Sequence, residues 1–397
     1  MRVAPAATGT AARIEGLLDR RVQAGERFFA AEADRLARLC HAMAERFARG
    51  GRLLAVAASP QDRSDARHVA VEFVHPVIVG KRALPALALT AEGGAPAAQL
   101  ALLAEPDDVV IAFGAADLGP ARARGSLTIA FQSTGAEWEL EPPGDDPCVR
   151  QEVAETAYHL LWELVHVFFE HRGLLEGRVA APTHDTGASS FLYPFLGQQE
   201  TDLEAVLADV RRSVAMKAQE ISALRTETLR EAGAVLAAAA AALRARLDAG
   251  GRLLAFGNGG SATDAMDAVA DLRFPPGPWP PRAALDLTED AAILTALAND
   301  IGTEALFARQ VIAHGRAEDA LLAFSTSGTS TNVIAALAEA RRRGLETIAM
   351  VGYDGGRVAA EQLADHVVIT RSEHIPRIQE AQASAWHVLR ELVEAAP

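Results

Sequence analysis

A six-residue block occurs twice in this 397-residue chain. Gly50-Gly51-Arg52-Leu53-Leu54-Ala55 returns as Gly250-Gly251-Arg252-Leu253-Leu254-Ala255. A second echo follows each copy. Gln151-Glu152, His159 and Glu163-Leu164-Val165 match Gln379-Glu380, His387 and Glu391-Leu392-Val393 at identical spacing. Two echoes in one order indicate two related domains, the first about 28 residues shorter between its echoes.

The second copy is the better formed. Residues 202–249 carry helical periodicity rich in Ala, Leu, Arg and Glu. Strand-like runs follow at 252–256, 283–287, 320–324, 347–351 and 366–369, with helical patterns at 262–273, 290–298, 303–313, 330–343 and 376–395. The run Pro275-Pro276-Gly277-Pro278-Trp279-Pro280-Pro281 is a loop, since proline lacks the amide hydrogen that regular structure needs. The first copy repeats this in outline: helix 11–48, strand 52–57, helix 62–74, strands near 108–113 and 126–131, helix 149–170. Alternating strands and helices predict parallel sheets covered on both faces. Residues 171–200 mix Gly, Pro, Ser and aromatic residues and read as the connection. The expected domains are 1–175 and 201–397, with a linker over 176–200.

Composition narrows the function classes. Half the residues are hydrophobic, and the net charge is −14, which argues against nucleic acid or an anionic membrane as a partner. Two cysteines, Cys40 and Cys148, exclude a disulfide scaffold and a thiolate zinc cluster. The apolar run 232–243 is too short to span a bilayer, and the start Met1-Arg2-Val3-Ala4-Pro5 lacks a signal-peptide core. A cytoplasmic location is expected.

Two loops carry the chemistry. Gly257-Asn258-Gly259-Gly260-Ser261 lies between a strand and a helix, where glycines permit close approach and the helix start offers free N–H groups to an anion. With Ala262 and Asp286 it also fits a dinucleotide fingerprint. Ser325-Thr326-Ser327-Gly328-Thr329-Ser330 crowds five hydroxyls around one glycine at a helix start. That set suits a terminal phosphate; a serine-rich helix cap is the plainer reading.

With Asn299-Asp300-Ile301-Gly302, Phe307-Ala308-Arg309-Gln310 and Arg377-Ile378-Gln379-Glu380, these loops stand in the order of the phosphoheptose isomerases. The chain resembles these sugar isomerase (SIS) domain enzymes over about residues 200–396. The resemblance implies an α/β fold of two tandem SIS domains, each a flavodoxin-like doubly wound parallel sheet with flanking helices, the N-terminal copy being degenerate. It implies sugar-phosphate contacts at Asn258, Gly259, Gly260, Ser261, Asn299, Asp300, Ser325, Thr326, Ser327, Ser330 and Gln379. It also implies a divalent metal, commonly zinc, on a His and Glu four residues apart, a Gln, and a second His eight residues on.

Neither copy carries that pattern whole. The C-terminal positions read Asp267, Asp271, Gln379 and His387, so two ligands differ and harder ions such as magnesium or manganese become the expectation. Asp271 and His387 are the expected catalytic pair, although each Asp could equally be a solvated helix charge. The N-terminal copy keeps His68, Glu72, Gln151 and His159, yet Ala57-Ala58-Ser59-Pro60-Gln61 replaces its glycine loop. In place of its serine loop stands Gly114–Gly119, where Asp117 puts an acid in the phosphate's place. The plain account of His68 and Glu72 is a surface ion pair in a drifted duplicate; the sharper one is a site shared between the copies.

Isomerisation of sedoheptulose 7-phosphate or a similar sugar phosphate through an enediol is the expected function. A non-catalytic regulatory or assembly protein that binds a phosphosugar is the alternative, and an NAD-dependent oxidoreductase a third. A homodimer of the whole chain would mimic the family's tetramer.

Overall fold

The computed structural model describes residues 5–78, 81–171, 174–175 and 202–395; the expected linker 176–200 lies outside them. The chain forms two compact units. One, here the C-terminal unit, gathers residues 1–23, 146–152 and 221–397, and the other, the N-terminal unit, gathers 24–145 and 153–220. Residues 1–23 and 146–152, which sequence order puts in the first domain, thus group by compactness with the second, and 201–220 with the first.

In chain order the N-terminal sheet is laid down by α1 (Pro5–Ala48), β1 (Leu53–Ala57), α2 (Arg63–Val74), β2 (Ala86–Leu89), α3 (Pro96–Leu103), β3 (Val109–Phe113), α4 (Gly119–Arg124), β4 (Leu127–Ala130), β5 (Trp138–Glu139) and α5 (Pro147–Glu170). Helices α6 (Leu203–Glu231) and α7 (Gly233–Asp248) follow, so the helical periodicity over 202–249 belongs to two helices that meet at Ala232. The C-terminal sheet comes from β6 (Leu253–Phe256), α8 (Gly260–Arg273), β7 (Ala284–Asp286), α9 (Ala291–Asp300), α10 (Leu306–His314), β8 (Ala320–Ser325), α11 (Thr331–Arg342), β9 (Glu346–Gly352), α12 (Gly356–Ala360), β10 (His366–Thr370) and α13 (Ile375–Glu394). No described helix is long and apolar enough to cross a membrane.

Both sheets have five parallel strands, and both have the same order. The first runs β2-β1-β3-β4-β5 and the second β7-β6-β8-β9-β10. This is the flavodoxin-like 2-1-3-4-5 arrangement, in which the chain leaves strand 1 for one side and returns for strand 3 on the other. Side-chain alternation fills both faces of the second sheet. Leu253, Ala255, Leu322, Phe324, Ile348 and Met350 pack toward α7, α8 and α13, joined by Ile14, Leu17 and Leu18 of α1. Leu254, Phe256, Leu321, Ala323 and Val351 face the other way, against Phe307, Val311, Val333 and Leu337 of α10 and α11.

The repeated block now has a physical reason. Gly50 and Gly250 take φ of +97° and +87°, a conformation that ends a helix cheaply only without a side chain. Gly51 and Gly251 press against the carbonyls of Asp107 and Glu318, leaving no room for a Cβ. Arg52 then donates backbone and guanidinium hydrogen bonds to buried Asp108 (2.9 and 2.8 Å), as Arg252 does to Asp319 (2.9 and 3.0 Å). Each arginine therefore locks the start of strand 1 to the start of strand 3, and the two aspartates were not singled out in the sequence.

Elements not expected from sequence are the short ones, β2, α3, α4, β5 and α12. Gly251→Ala should lower the urea-unfolding free energy by about 1–3 kcal/mol through the backbone clash. Gly25→Ala, in open space on α1, should leave it unchanged or raise it by up to about 1 kcal/mol.

Candidate active site

Strands β6 and β8 are hydrogen-bonded neighbours, with Leu253 opposite Ala320 and Phe256 opposite Ala323. Their carboxyl ends therefore open side by side at the point where the sheet order reverses, the place where open α/β sheets bind ligands. The glycine loop leaves β6 and enters α8; the hydroxyl loop leaves β8 and enters α11. A reciprocal amide pair ties them together. Asn258 Nδ2 donates to Asn332 Oδ1 at 3.0 Å, and Asn332 Nδ2 donates back to Asn258 Oδ1 at 2.9 Å. Asn332 was missed in the sequence because it sits two residues beyond the hydroxyl run.

Neither helix start is capped from within. Gly259 precedes α8 and Ser330 precedes α11, and neither helix receives a side-chain cap hydrogen bond. By contrast Asp290 caps α9 by accepting from the amides of Ala292 and Ile293. The serine-rich cap reading of the second loop therefore fails, and the first amides of α11 remain for an anion, whereas at α8 the amides of Ser261 and Ala262 bond back to the carbonyls of Asn258 and Gly259. Ser325 has a different task from the one expected: it is buried, and its Oγ accepts from Gly328 N–H at 3.1 Å, which bends the loop. Gly328 needs its φ of +62° there and touches the backbone of Gly355. Ser327 accepts from Thr329 N–H and Oγ1–H at 3.3 and 3.0 Å, so its own proton points elsewhere. Ser261 is buried at the start of α8, while Gly259 is exposed and Gly260, Thr326 and Ser330 are half-buried. Asn299 and Asp300 close α9 in the exposed, bonded to each other at 2.7 Å; no described contact ties them to the loops. Asp286, the ribose-binding candidate of the dinucleotide reading, is engaged locally: its Oδ1 accepts from Thr288 N–H at 2.7 Å and Thr288 Oγ1–H at 2.5 Å.

Helix α8 links this crevice to a cluster of buried charges. Asp267 lies seven residues into it, about 10 Å along the axis, and Asp271 one turn further. Both are buried rather than solvated helix charges. His387 of α13 brings Nε2 within 3.3 Å of Asp267 Oδ2 and 3.6 Å of Asp271 Oδ2. Trp386 donates to Asp271 Oδ2 at 2.9 Å, and Gln151 donates to Asp267 Oδ1 at 2.9 Å. Gln151 was expected beside His68 and Glu72; it joins this cluster instead, in keeping with the grouping of 146–152. Gln379 is buried on α13, and its Oε1 has no hydrogen-bond partner. Glu152, not singled out in the sequence, closes the other side of the ring, its Oε1 2.8 Å from His387 Nδ1.

Electrostatics follow from this packing. Burial, and then the charge of Asp267, push Asp271 up to about 7. Burial opposes a charge on His387, yet Cys148 and the hydrogen bonds to Asp267 and Glu152 hold it well above the usual histidine range. Burial likewise opposes charge on Glu152, but Arg21 and His387 outweigh it and bring it down to about 2.

The N-terminal unit shows the converse. His68 and Glu72 are not a surface pair; both are buried, with His159. His68 Nε2 lies 3.3 Å from His159 Nε2 and 3.9 Å from Glu72 Oε1. Burial, aided by His159, holds His68 well below its usual pKa, and the two ring nitrogens stand within hydrogen-bond distance of each other. Two ligands on a tetrahedral zinc lie about 3.4 Å apart, so this nitrogen pair with a carboxylate fits a divalent ion. The same unit's crevice between β1 and β3 is filled, but not by Asp117, which is exposed and accepts from Gly119 N–H at 2.8 Å. Asp62 fills it. Its Oδ2 accepts from Ser59 N–H at 3.0 Å and Oγ–H at 2.7 Å, and presses on Gly114.

Comparison with known proteins agrees with this geometry. The SIS domain family model matches residues 218–352. A phosphoheptose isomerase of Thermodesulfovibrio yellowstonii is 43% identical over 150 residues, covering 37% of this chain and 73% of that one. The chain belongs to the phosphoheptose isomerase family. A Bradyrhizobium phosphoheptose isomerase is 39% identical over 195 residues, 49% of this chain and 94% of the relative. The fold of both units has a counterpart in the C-terminal domain of a glucosamine-fructose-6-phosphate aminotransferase from Francisella tularensis (TM-score 0.57, 10% identity, 95% of this chain and 93% of that one). The phosphoheptose isomerase likeness thus covers about half the chain, and the other half shares the architecture.

Asn332→Ala should weaken binding of a sugar phosphate about 5- to 10-fold by freeing the two loops, the loss of about 1–1.4 kcal/mol expected for one hydrogen-bonded tie. Isothermal titration checks this, with unfolding midpoint as the control.

Proposed function

We propose that the protein isomerises a sugar phosphate between aldose and ketose, with sedoheptulose 7-phosphate or a similar compound as substrate. The observation that carries the reading is helix α8, whose uncapped start forms one wall of the anion crevice and whose later turns carry Asp267 and Asp271. The phosphoryl group is held by the amides and hydroxyls of the two loops, with Asn258, Ser261, Thr326, Ser327 and Ser330 as the assigned contacts. The sugar chain runs along α8 toward the buried carboxylates.

Aldose–ketose exchange needs a base to take a proton from the carbon beside the carbonyl and an acid to protonate the carbonyl oxygen. Asp271 is assigned as the base. Trp386 and His387 engage its Oδ2, leaving Oδ1 to take the proton, and its pKa of about 7 suits a group that must accept and return it near neutrality. His387 is assigned as the acid, through Nε2. The proton on Asp271 returns to the neighbouring carbon as the enediol collapses, and His387 Nε2 takes back a proton from the hydroxyl that becomes the new carbonyl.

In the N-terminal unit, His68, Glu72 and His159 would hold a divalent metal, zinc by the chemistry of two imidazoles and a carboxylate. Such an ion would supply Lewis acidity there. The assembly proposed is a cytoplasmic homodimer. A phosphosugar binder without turnover is the second reading, favoured by the ion pairing that ties Asp267 and Asp271 to His387.

Conversion of sedoheptulose 7-phosphate, followed by chromatography, tests the reading. Asp271→Asn should lower kcat about 10²- to 10⁴-fold, the range for removing a general base. Because the base must be ionised, kcat/KM should rise as pH increases through about 7. Binding without product in every condition would leave the second reading. His68→Ala should abolish bound zinc, measured by elemental analysis of the purified protein.

A further inference from the structure

Gln382 of α13 is fully buried, and neither its Oε1 nor its Nε2 has a hydrogen-bond partner among the described residues. An amide left in that state is costly, because it has given up water on both its donor and its acceptor side. Buried Gln310, by contrast, donates to the carbonyls of Leu287 and Leu306 at 2.8 and 3.2 Å. Gln379 behaves like Gln382. It lies three residues earlier on the same side of α13, and its buried Oε1 is also unpartnered.

Neighbouring contacts define where this pair stands. Ile378, Gln382 and Trp386 follow at intervals of four and so share one face of α13. Ile378 and the carbonyl of Thr326 together occupy the space that a Cβ on Gly352 would need, which sets the first turn of α13 against the hydroxyl loop. At the other end Trp386 donates to Asp271 at 2.9 Å. Gln382 therefore stands midway between the loop and the assigned base, about 6 Å of helix rise from either marker. Helix α8 leaves the same edge of the sheet and packs on the same face. Asp267 lies seven residues into α8 and Gln382 seven into α13, while Asp271 and Trp386 each lie eleven residues in.

The unpaired atoms restrict what can satisfy them. Nε2 offers only hydrogens, which a metal ion cannot use, and the two Oε1 atoms offer only lone pairs, which repel a phosphoryl oxygen. A hydroxyl both donates and accepts, so hydroxyls on adjacent carbons can meet all three atoms. Burial removes bulk water as a competitor for that pairing.

We propose that Gln382 is a specificity-determining residue: with Gln379 it pairs with the hydroxyls of the sugar chain between the phosphoryl group and the reacting carbons. The inference rests on the isomerase reading for the presence of a sugar phosphate in the crevice, and on the two amides for the pairing itself.

Calorimetric titration of the full chain with sedoheptulose 7-phosphate, hexyl phosphate and inorganic phosphate tests it. Hexyl phosphate carries a chain and a phosphoryl group without the hydroxyls. The unaltered chain should bind the heptulose phosphate at least about 10-fold more tightly than either of the others. Gln382→Met, similar in size and unable to hydrogen-bond, should weaken the heptulose phosphate about 10-fold and leave the other two within about twofold. Its unfolding midpoint should hold or rise, since an unpaired buried amide has gone. Gln382→Asn keeps the amide but withdraws it by one methylene, and should give the same pattern at smaller amplitude; it carries the comparison if the Met variant does not fold. Equal weakening of all three ligands would overturn the inference, because it marks a structural role. So would an unchanged affinity for the heptulose phosphate, or an unaltered chain that does not prefer it. The expected pattern of binding without any turnover sinks the isomerase reading and leaves this one standing.

Discussion

Parallel pairing of β6 with β8 is the constraint on which the rest depends. Neighbouring strands lie about 4.8 Å apart, so two chain ends leave the sheet almost touching, and each leads into the positive end of a helix. Nothing in the net charge of −14 favours an anion, yet two uncapped helix starts converge on one spot. The Arg252–Asp319 lock at the opposite end of the same two strands sets their register. The Asn258–Asn332 pair then fixes the loops they carry.

Behind the crevice the protein buries more charge than its fold requires. Removing one partner from such a network leaves an uncompensated ion, a loss of several kcal/mol, so the network's members are mutually dependent. Asp267 and Asp271 leave α8 on one face because four residues make about one turn. His387 reaches them from α13, and Glu152 reaches His387 from α5. Short side chains at 267 and 271 leave room for the imidazole to pair with both carboxylates directly. In the N-terminal cluster the matching positions hold a longer Glu72 and the imidazole of His68, and there two ring nitrogens meet.

Much of this was legible in the residues. Duplication showed in the glycine-glycine-arginine block because each residue has a separate backbone task that few substitutes can perform. Long strands and helices were visible through their periodicity, and the hydroxyl loop through its density of donors. Short elements were not: β2 and β5 have four and two residues, too few to show a pattern. Partners far apart in sequence were also hidden. Nothing near Gln151 marks it as a companion of Asp267, more than a hundred residues away, and Glu152 reads as an ordinary helix charge until its burial is known. Asp117 was the obstructing acid expected from the sequence, and Asp62 was passed over. Only the turn geometry, which bends Asp117 back on its own loop, distinguishes them.

That Asp62 carboxylate carries a consequence for how the molecule responds to its surroundings. Tethered to the chain, it competes for its pair of serine donors at an effective concentration no diffusing anion reaches. The N-terminal crevice is therefore saturated from the moment of folding. On the proposed reading, phosphorylated sugars would meet a protein with two architecturally matched halves and a single crevice open to them, with no cooperativity to be expected from the duplication.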